Sequence, residues 1–299
     1  MLGVVTVTYN SSSVLDDFME SMKCQTDQNW RLYVIDNESR DDTVAKVKAN
    51  AVLDSRIVLV ANDKNLGVAV GNNQGIRLAL ADGCDTVMLL NNDTEFAEDL
   101  FSGLHRAMDE LAADMVIPKM RFFEPSNKIW CAGGAFLPYR AMANIHFGEG
   151  EEDRGQYDSP RKVNYAPTCC MLIRRSVFDR VGLMDENFFV YCDDAEFCYR
   201  AMRANLSLWY SPAPLLFHKV SALTGGMSDF SIQHATYGRV YMIRKHLGAQ
   251  AFFWLLLYQF AFLMRIIMPG YGPRRFRLLR KAYRDAMAKP LPVGWPKTV

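Results

Sequence analysis

The chain opens with an unbroken apolar, β-branched run, Leu2 to Thr8, that stops at Tyr9-Asn10-Ser11-Ser12. Apolar positions then recur at helical spacing from Val14 to Met22, and one of the preceding serines is placed to cap that helix. The alternation repeats. Arg31 to Ile35 predicts a second strand ending in Asp36-Asn37-Glu38-Ser39, and after Asp41-Asp42-Thr43 the stretch Val44 to Ala49 predicts a helix. Ile57 to Ala61 predicts a third strand, followed by Asn62, Asn65 and Gly67, then a helix from Gly71 to Ala81 and a fourth strand, Val87 to Leu90. Strands alternating with helices mean βαβ units and a mostly parallel sheet. Right-handed crossovers bring all four strand ends to one edge, where ligands of open α/β sheets bind. That edge carries Tyr9, Asn10, Asp36, Asn37, Asn65, Asn91 and Asp93.

The fourth ending is the most telling. Met88-Leu89-Leu90 runs straight into Asn91-Asn92-Asp93, with Thr94 and Glu95 behind. An isolated Asn-Asn-Asp reads as a polar turn. Here three earlier strands end the same way, so the edge reads as a nucleotide-sized site. A carboxylate flanked by amide oxygens suits a hard divalent cation that already carries phosphate oxygens. Gly67-Val68-Ala69-Val70-Gly71 is not GxGxxG, and no GxxxxGK[ST] occurs. A cation on Asp93, rather than a glycine-rich turn, is therefore expected to neutralise a diphosphate.

After Met115-Val116-Ile117-Pro118 the pattern becomes irregular. Ile129 to Leu137 contains Gly133-Gly134, and Phe147 to Lys162, acidic and then Gly/Pro-bearing, reads as a mobile loop. A short strand returns at Cys170 to Ile173, and a helix starts around Arg174 to Phe178. The aromatic run from Phe188 to Tyr191 then leads into Asp193, Asp194 and Glu196, three acids in four residues at the start of an amphipathic helix. Helix-dipole complementation and capping account for one or two of them. Grouped carboxylates in a partly buried setting repel unless one serves as a base or meets a cation. His218 closes the apolar run Leu215-Leu216-Phe217; a lone histidine is commonly structural, yet imidazole also suits Mn²⁺ or Mg²⁺ beside carboxylates.

Composition adds limits. With 299 residues, half of them hydrophobic, and a net charge of +1, the chain can build a real core and carries no field that points to nucleic acid. Seven scattered cysteines without zinc spacing point to reduced thiols, and no basic leader with an apolar core precedes the first strand, so a cytosolic setting is expected. Near the other end, Phe252 to Met268 is apolar but short for a spanning helix and contains Arg265. Beyond Pro269-Gly270, Arg274, Arg275, Arg277, Arg280, Lys281 and Arg284 interleave with Phe276, Leu279, Tyr283 and Met287 at near-helical spacing. That is the pattern of an interfacial membrane anchor, with a helical pair packed on the domain or across a dimer interface as the alternative.

Val4–Asn10, Val34-Ile35-Asp36-Asn37 with Ser39 and Asp41, Asn65-Leu66-Gly67 with Gly71-Asn72-Asn73-Gln74-Gly75, Leu89–Thr94, Asp193-Asp194 and His218 follow one another in a telling order. Together, over residues 2–245, they resemble a family 2 glycosyltransferase of the GT-A fold. Within that family the chain is similar to the bacterial rhamnosyltransferase-like branch that builds O-antigens and other surface polysaccharides. The resemblance implies an α/β fold with a Rossmann-like, mostly parallel sheet. It implies a catalytic domain over 1–245, its nucleotide half about 1–120 and its acceptor half about 121–245, and a helical extension over 246–299. It implies inverting transfer from a nucleoside-diphosphate sugar, of the deoxythymidine-diphosphate rhamnose or uridine-diphosphate galactose or galactofuranose type, to a glycan hydroxyl. The acceptor would be lipid-linked and the enzyme peripheral on the cytoplasmic face of the inner membrane; a homo-oligomer stays open. Asp36 would contact the base or ribose, with Thr8, Tyr9, Asn10, Asn37, Asn65, Gly67 and Asn73 on the donor side. Asn91-Asn92-Asp93 stands in place of the family's DxD motif with Asn at its first acidic position. Asp93 would therefore be the ligand of a Mn²⁺ or Mg²⁺ ion, with His218 reaching the metal or diphosphate and Asn91 contacting ribose or a water. Asp194, paired with Asp193, would be the catalytic base, and Trp130, Gly133 and Gly134 would line the sugar and acceptor side, with a tight turn as the alternative for the two glycines. A nucleotidyltransferase would need a glycine- and Arg/Lys-rich loop after the first strand, which Thr8–Ser13 lacks. A non-catalytic sugar-nucleotide or glycan-binding module would not need Asp193-Asp194 and His218 together with Asp93.

Overall fold

The computed structural model describes residues 1–220, 228–266 and 272–292. Four parallel strands make its organising layer: β1 (Leu2–Thr8), β2 (Trp30–Asn37), β3 (Ile57–Asn62) and β4 (Thr86–Leu90), in the order β4-β1-β2-β3. The helices α1 (Ser12–Lys23), α2 (Thr43–Leu53) and α3 (Val68–Ala81) make the crossovers. All residues of β1 but Val7 are buried, as expected for a strand covered on both faces. A Cβ at Gly71 or Gly75 of α3 would lie 2.8 or 2.3 Å from Val7 or Val5. Glycine at these two positions lets α3 lie directly on β1, which sets the depth of the strand ends. Ser11 occupies the N-cap position of α1, but its hydroxyl makes no capping bond and accepts instead from the Tyr9 N–H at 3.2 Å.

The remaining strands extend the sheet. They are β5 (Thr94–Phe96), β6 (Met115–Phe122) after α4 (Leu100–Glu110), β7 (Ile129–Cys131), the hairpin β8 (Gly134–Leu137) and β9 (Ala143–His146), and β10 (Arg161–Val163). After β11 (Cys170–Arg174) come α5 (Arg175–Val181), α6 (Asp193–Arg203) and β12 (Leu208–His218). β11 lies antiparallel between β4 and β6, and β12 runs parallel beside β6, giving β10-β12-β6-β11-β4-β1-β2-β3. The sheet is thus mixed at one side, where the periodicity of the chain is weakest.

The stretch from Phe147 to Lys162, expected to be a mobile loop, is pinned to the sheet. Asp153 accepts from Lys119 Nζ at 3.1 Å and Arg121 Nε at 2.9 Å, and Lys119 also pairs with Asp158. Lys119 and Asp153 are both buried, so this clip replaces the apolar contacts the segment lacks.

A helical layer closes the fold: α7 (Asp229–His246), α8 (Gln250–Ile266) and α9 (Pro273–Ala288). Arg274 and Arg275 at the start of α9 pair with Asp229 at the start of α7, and Arg244 near the end of α7 donates to the Ala286 and Lys289 carbonyls. α9 therefore runs alongside α7 in the same direction. Among the described residues no helix is long and apolar enough to cross a membrane. The Pro269-Gly270 break lies outside the described residues.

Candidate active site

The parallel register sets Thr8 beside Asp36 at the ends of β1 and β2. Thr8 Oγ1 donates to Asp36 Oδ1 at 2.8 Å, the Ser39 N–H donates to Oδ2 at 2.9 Å, and the Ser39 hydroxyl also reaches Oδ1. A carboxylate has about four lone-pair positions, so these bonds aim Asp36 and leave about one for a ligand. Asn10, at φ +51°, donates its N–H to Ser39 Oγ at 2.8 Å and accepts from the Arg40 N–H at 2.8 Å. Asp41 ties the same two loops together through the Ser12 N–H at 3.0 Å and the Thr43 hydroxyl at 2.6 Å. Tyr9 stands exposed at the strand end.

Asn37 and Asn65 brace the third ending. Asn37 Nδ2 donates to the Gly67 carbonyl at 3.1 Å, and Asn65 Oδ1 accepts from the Gly67 N–H at 3.0 Å. Gly67 has φ +87°, and a Cβ there would sit 2.5 Å from the Phe189 carbonyl oxygen. That oxygen accepts from the Val68 N–H at 2.6 Å, joining the donor loop to the segment that leads into Asp193. Asn73 does not reach the strand-end cleft. Its amide is buried and engaged with the Met184 N–H and carbonyl, both at 2.9 Å, and with Glu186 at 3.0 Å. Its helical position turns it toward the 184–186 segment.

At the fourth ending Asn91 is exposed, while Asn92 is buried and donates to the Val7 carbonyl at 2.7 Å. Asn92 Oδ1 has no partner among the described residues. The antiparallel pairing of β5 with β12 brings His218 beside Thr94, so Asp93 Oδ1 lies 3.2 Å from His218 Nε2. Trp130 meets the His218 ring edge-on with centroids 4.3 Å apart and the His146 ring at 5.1 Å. His146 stacks on Tyr165, with Nε2 3.3 Å from its hydroxyl, and Tyr165 donates to Asp194 Oδ2 at 3.1 Å. One wall thus runs Asp93, His218, Trp130, His146, Tyr165, Asp194. His146 and Tyr165 stand outside the strand-end pattern, and no local sequence signal marks them.

Asp193 and Asp194 open α6 directly after Tyr191 and Cys192, which have φ +64° and +62°. Left-handed geometry at non-glycine residues costs about 1–3 kcal/mol each and concentrates at functional sites. It is accommodated by Gly238 of α7, where a Cβ would lie 3.0 Å from Cys192 Cβ. Burial pushes the Asp194 carboxyl above the usual carboxylate range; burial and the Asp194 charge push Asp193 up as well. Burial and the same charge hold Tyr165 protonated, so it remains the donor. Glu196 is different. Burial alone would raise it, but the His246 hydrogen bond at 3.0 Å and the charges of Arg200 and Lys245 draw it down to about 2. Of the three clustered acids, Glu196 is the one that meets cations, and it anchors α6.

Gly133 and Gly134 do not open onto a cleft. Both are buried, and a Cβ on them would lie 2.7 Å from Val163 and 2.2 Å from the Ile145 carbonyl. They permit close packing of the β8–β9 hairpin, whereas Trp130 does belong to the wall.

Residues 3–182 match glycosyl transferase family 2. The chain belongs to that family. It is 30% identical over 147 residues to the low-salt glycan biosynthesis hexosyltransferase Agl10 of Haloferax volcanii, a match covering 48% of this chain and 46% of that protein. It is 23% identical over 245 residues to the dTDP-rhamnosyl transferase RfbF of Shigella flexneri, covering 80% of this chain and 76% of that protein. It is 24% identical over 273 residues to the N-acetylglucosaminyl-diphospho-decaprenol L-rhamnosyltransferase of Mycobacterium tuberculosis, covering 83% and 86%. Among solved structures, the mannosyltransferase PcManGT of Pyrobaculum calidifontis, in complex with GDP-Man and Mn²⁺, superimposes with a TM-score of 0.58 at 16% identity. That match covers 97% of this chain and 76% of that one, and the shared fold is GT-A.

Proposed function

We propose that this family 2 glycosyltransferase moves a sugar, rhamnose in the first instance, from a nucleoside diphosphate to a hydroxyl of a glycan acceptor with inversion. The observation that carries the reading is the single wall that joins the Asp93–His218 pair to Asp194. The rhamnosyltransferases among the relatives favour the sugar, and the decaprenol-linked substrate named for one of them favours a lipid-linked acceptor.

A sugar hydroxyl is too weak an acid to attack an anomeric carbon unaided, so a carboxylate within hydrogen-bond reach must take its proton as the bond forms. Asp194 has the geometry to accept that proton, because Tyr165 orients one oxygen and burial brings its proton affinity nearer to working pH. A single base opposite the leaving group inverts the centre. At the donor end Asp36 holds base or ribose, while Thr8, Asn10 and Ser39 hold Asp36. The two donors Asp93 and His218 fit a divalent cation that arrives with diphosphate, since Mg²⁺-like ions take one or two carboxylates plus substrate phosphates. No set of three or more His, Cys, Asp or Glu side chains forms an all-protein cage among the described residues. When bound, such a cation neutralises the charge that develops on the leaving diphosphate.

The test is calorimetric titration with deoxythymidine and uridine diphosphates, each with and without Mn²⁺, followed by transfer assays with the matching sugar donors. Metal-dependent binding of one nucleotide and turnover that vanishes in Asp194→Asn are expected. A folded protein that binds neither nucleotide would overturn the reading in favour of a non-catalytic glycan-binding module.

A further inference from the structure

α8 packs along α7 with Ala251 and Leu255 buried. Its other side is left bare: Phe252, Phe253, Leu256, Leu257, Phe260 and Met264 are exposed, Phe252 by 78% and Phe260 by 63%. Positions 252, 256, 260 and 264 form one stripe at four-residue spacing, with 253 and 257 beside it, and the helix contains no acidic residue. A contiguous apolar strip of this kind marks an interaction surface. α9 lies against the same α7 through Leu279, Ala282 and Ala286, and it carries six cations against one acid, Asp285. Arg277, Arg280 and Arg284 point outward, and none has a carboxylate partner among the described residues.

From this pairing we propose that α8 and α9 form a docking face for an anionic lipid bilayer. The exposed aromatic and aliphatic stripe enters the headgroup boundary, and the arginines of α9 meet the negative surface. No described helix is long and apolar enough to cross, so the contact is interfacial. The charge pattern selects a bilayer over a second copy of the chain. A two-fold contact sets the same patch against itself, and a second copy of α8 and α9 brings only one acid, Asp285, to meet the six cations of α9. The face also connects to the wall of the candidate site. Gly238 of α7 seats Cys192, and Arg239 donates to the Met142 carbonyl at 3.1 Å and the Arg140 carbonyl at 2.6 Å. If the transfer reading is set aside, the docking face still stands on its own; with it, a lipid-borne acceptor is kept near Asp194.

The experiment is cosedimentation of the full chain with vesicles of phosphatidylcholine alone and of phosphatidylcholine with phosphatidylglycerol, at low and high salt. Binding to the anionic vesicles, weakened by salt, is expected. Arg277→Glu with Arg280→Glu should lower the partition by at least about thirtyfold, from the usual contribution of surface cations near an anionic leaflet. Phe252→Ser with Phe260→Ser should abolish binding while the melting curve and circular dichroism stay unchanged, because both rings are exposed. Folded wild-type protein that does not sediment with anionic vesicles, or binding unaltered in both variants, overturns the proposal. So does a wild-type dimer that the Phe→Ser variant converts to monomer without any vesicle binding, because the stripe is then a contact between copies.

Discussion

Replacing Glu196 with Gln removes one charge from the centre of the network that holds α6 in place. The carboxylate is fully buried; it accepts from Arg200 Nε at 3.0 and 2.9 Å, from Lys245 Nζ at 2.6 Å and from His246 Nε2 at 3.0 Å. Its pKa falls from the ordinary 4.5 to about 2. At about 1.4 kcal/mol per tenfold change in proton affinity, that fall corresponds to on the order of 3 kcal/mol of folding stability. Breaking a buried pair by removing one partner costs about 3–5 kcal/mol, a consistent range. Lys245 keeps Asp185 at 2.7 Å, which favours the lower end. Urea unfolding followed by tryptophan fluorescence at neutral pH should therefore place Glu196→Gln about 3 kcal/mol below wild type, a large share of a typical total of about 5–15. The folded state binds this proton more weakly than the unfolded chain does. The contribution is therefore complete above pH 4.5 and lost as pH falls toward 2, and the gap between the two proteins should close over that range. A loss under about 1 kcal/mol, or a gap that widens on acidification, would refute the account of Glu196 as the charge anchor of α6.

Asp194→Asn should lower the transfer rate by about 10²–10⁴ while nucleotide affinity, read by calorimetry, stays near wild type. An active Asn variant removes the base assignment. Because Asp194 must be ionised to accept a proton and burial raises its carboxyl, the rate should fall with decreasing pH through a point above the ordinary Asp value of 3.8. Tyr165→Phe removes a bond to the ionised form and should move that limb to still higher pH; a limb that stays put or moves down contradicts the positioning role of Tyr165. Asp93→Ala should abolish only the Mn²⁺-dependent part of nucleotide binding, and an unchanged Mn²⁺ response would clear Asp93 of the role. Gly67→Ala should cost about 1–3 kcal/mol, read as a lowered melting temperature, because φ +87° and the Phe189 carbonyl leave no room for a methyl. A melting curve like wild type would show that the loop relaxes freely.

The order of residues alone dictates the half of the molecule whose contacts are local. Each of the strands β1 to β4 is a short apolar run closed by Asn, Asp or Gly, and βαβ handedness then aligns their ends without further information. Asp36, Asn91 and Asp93 are legible for that reason, and so is the place of Asp193-Asp194, whose acids break an aromatic run. What lies beyond Met115 is decided by pairings far apart in the chain. β11 inserts antiparallel between β4 and β6, and β12 brings His218 back to Asp93 from more than a hundred residues away. No periodicity encodes such a return, because the contacts that stabilise it are made only when the sheet closes. The same holds for side chains whose roles depend on their neighbours. Asn73 matches the donor motif, yet the packing of α3 on the 184–186 segment turns its amide to Met184. Glu196 reads like its acidic neighbours until Lys245 and His246, some fifty residues away, arrive beside it. Tyr165 and His146 carry no signal of their own and become the link to Asp194 only through stacking across a hairpin. A side chain's type sets what it can do, and only the neighbours that the fold supplies set its charge, its aim and its access to water.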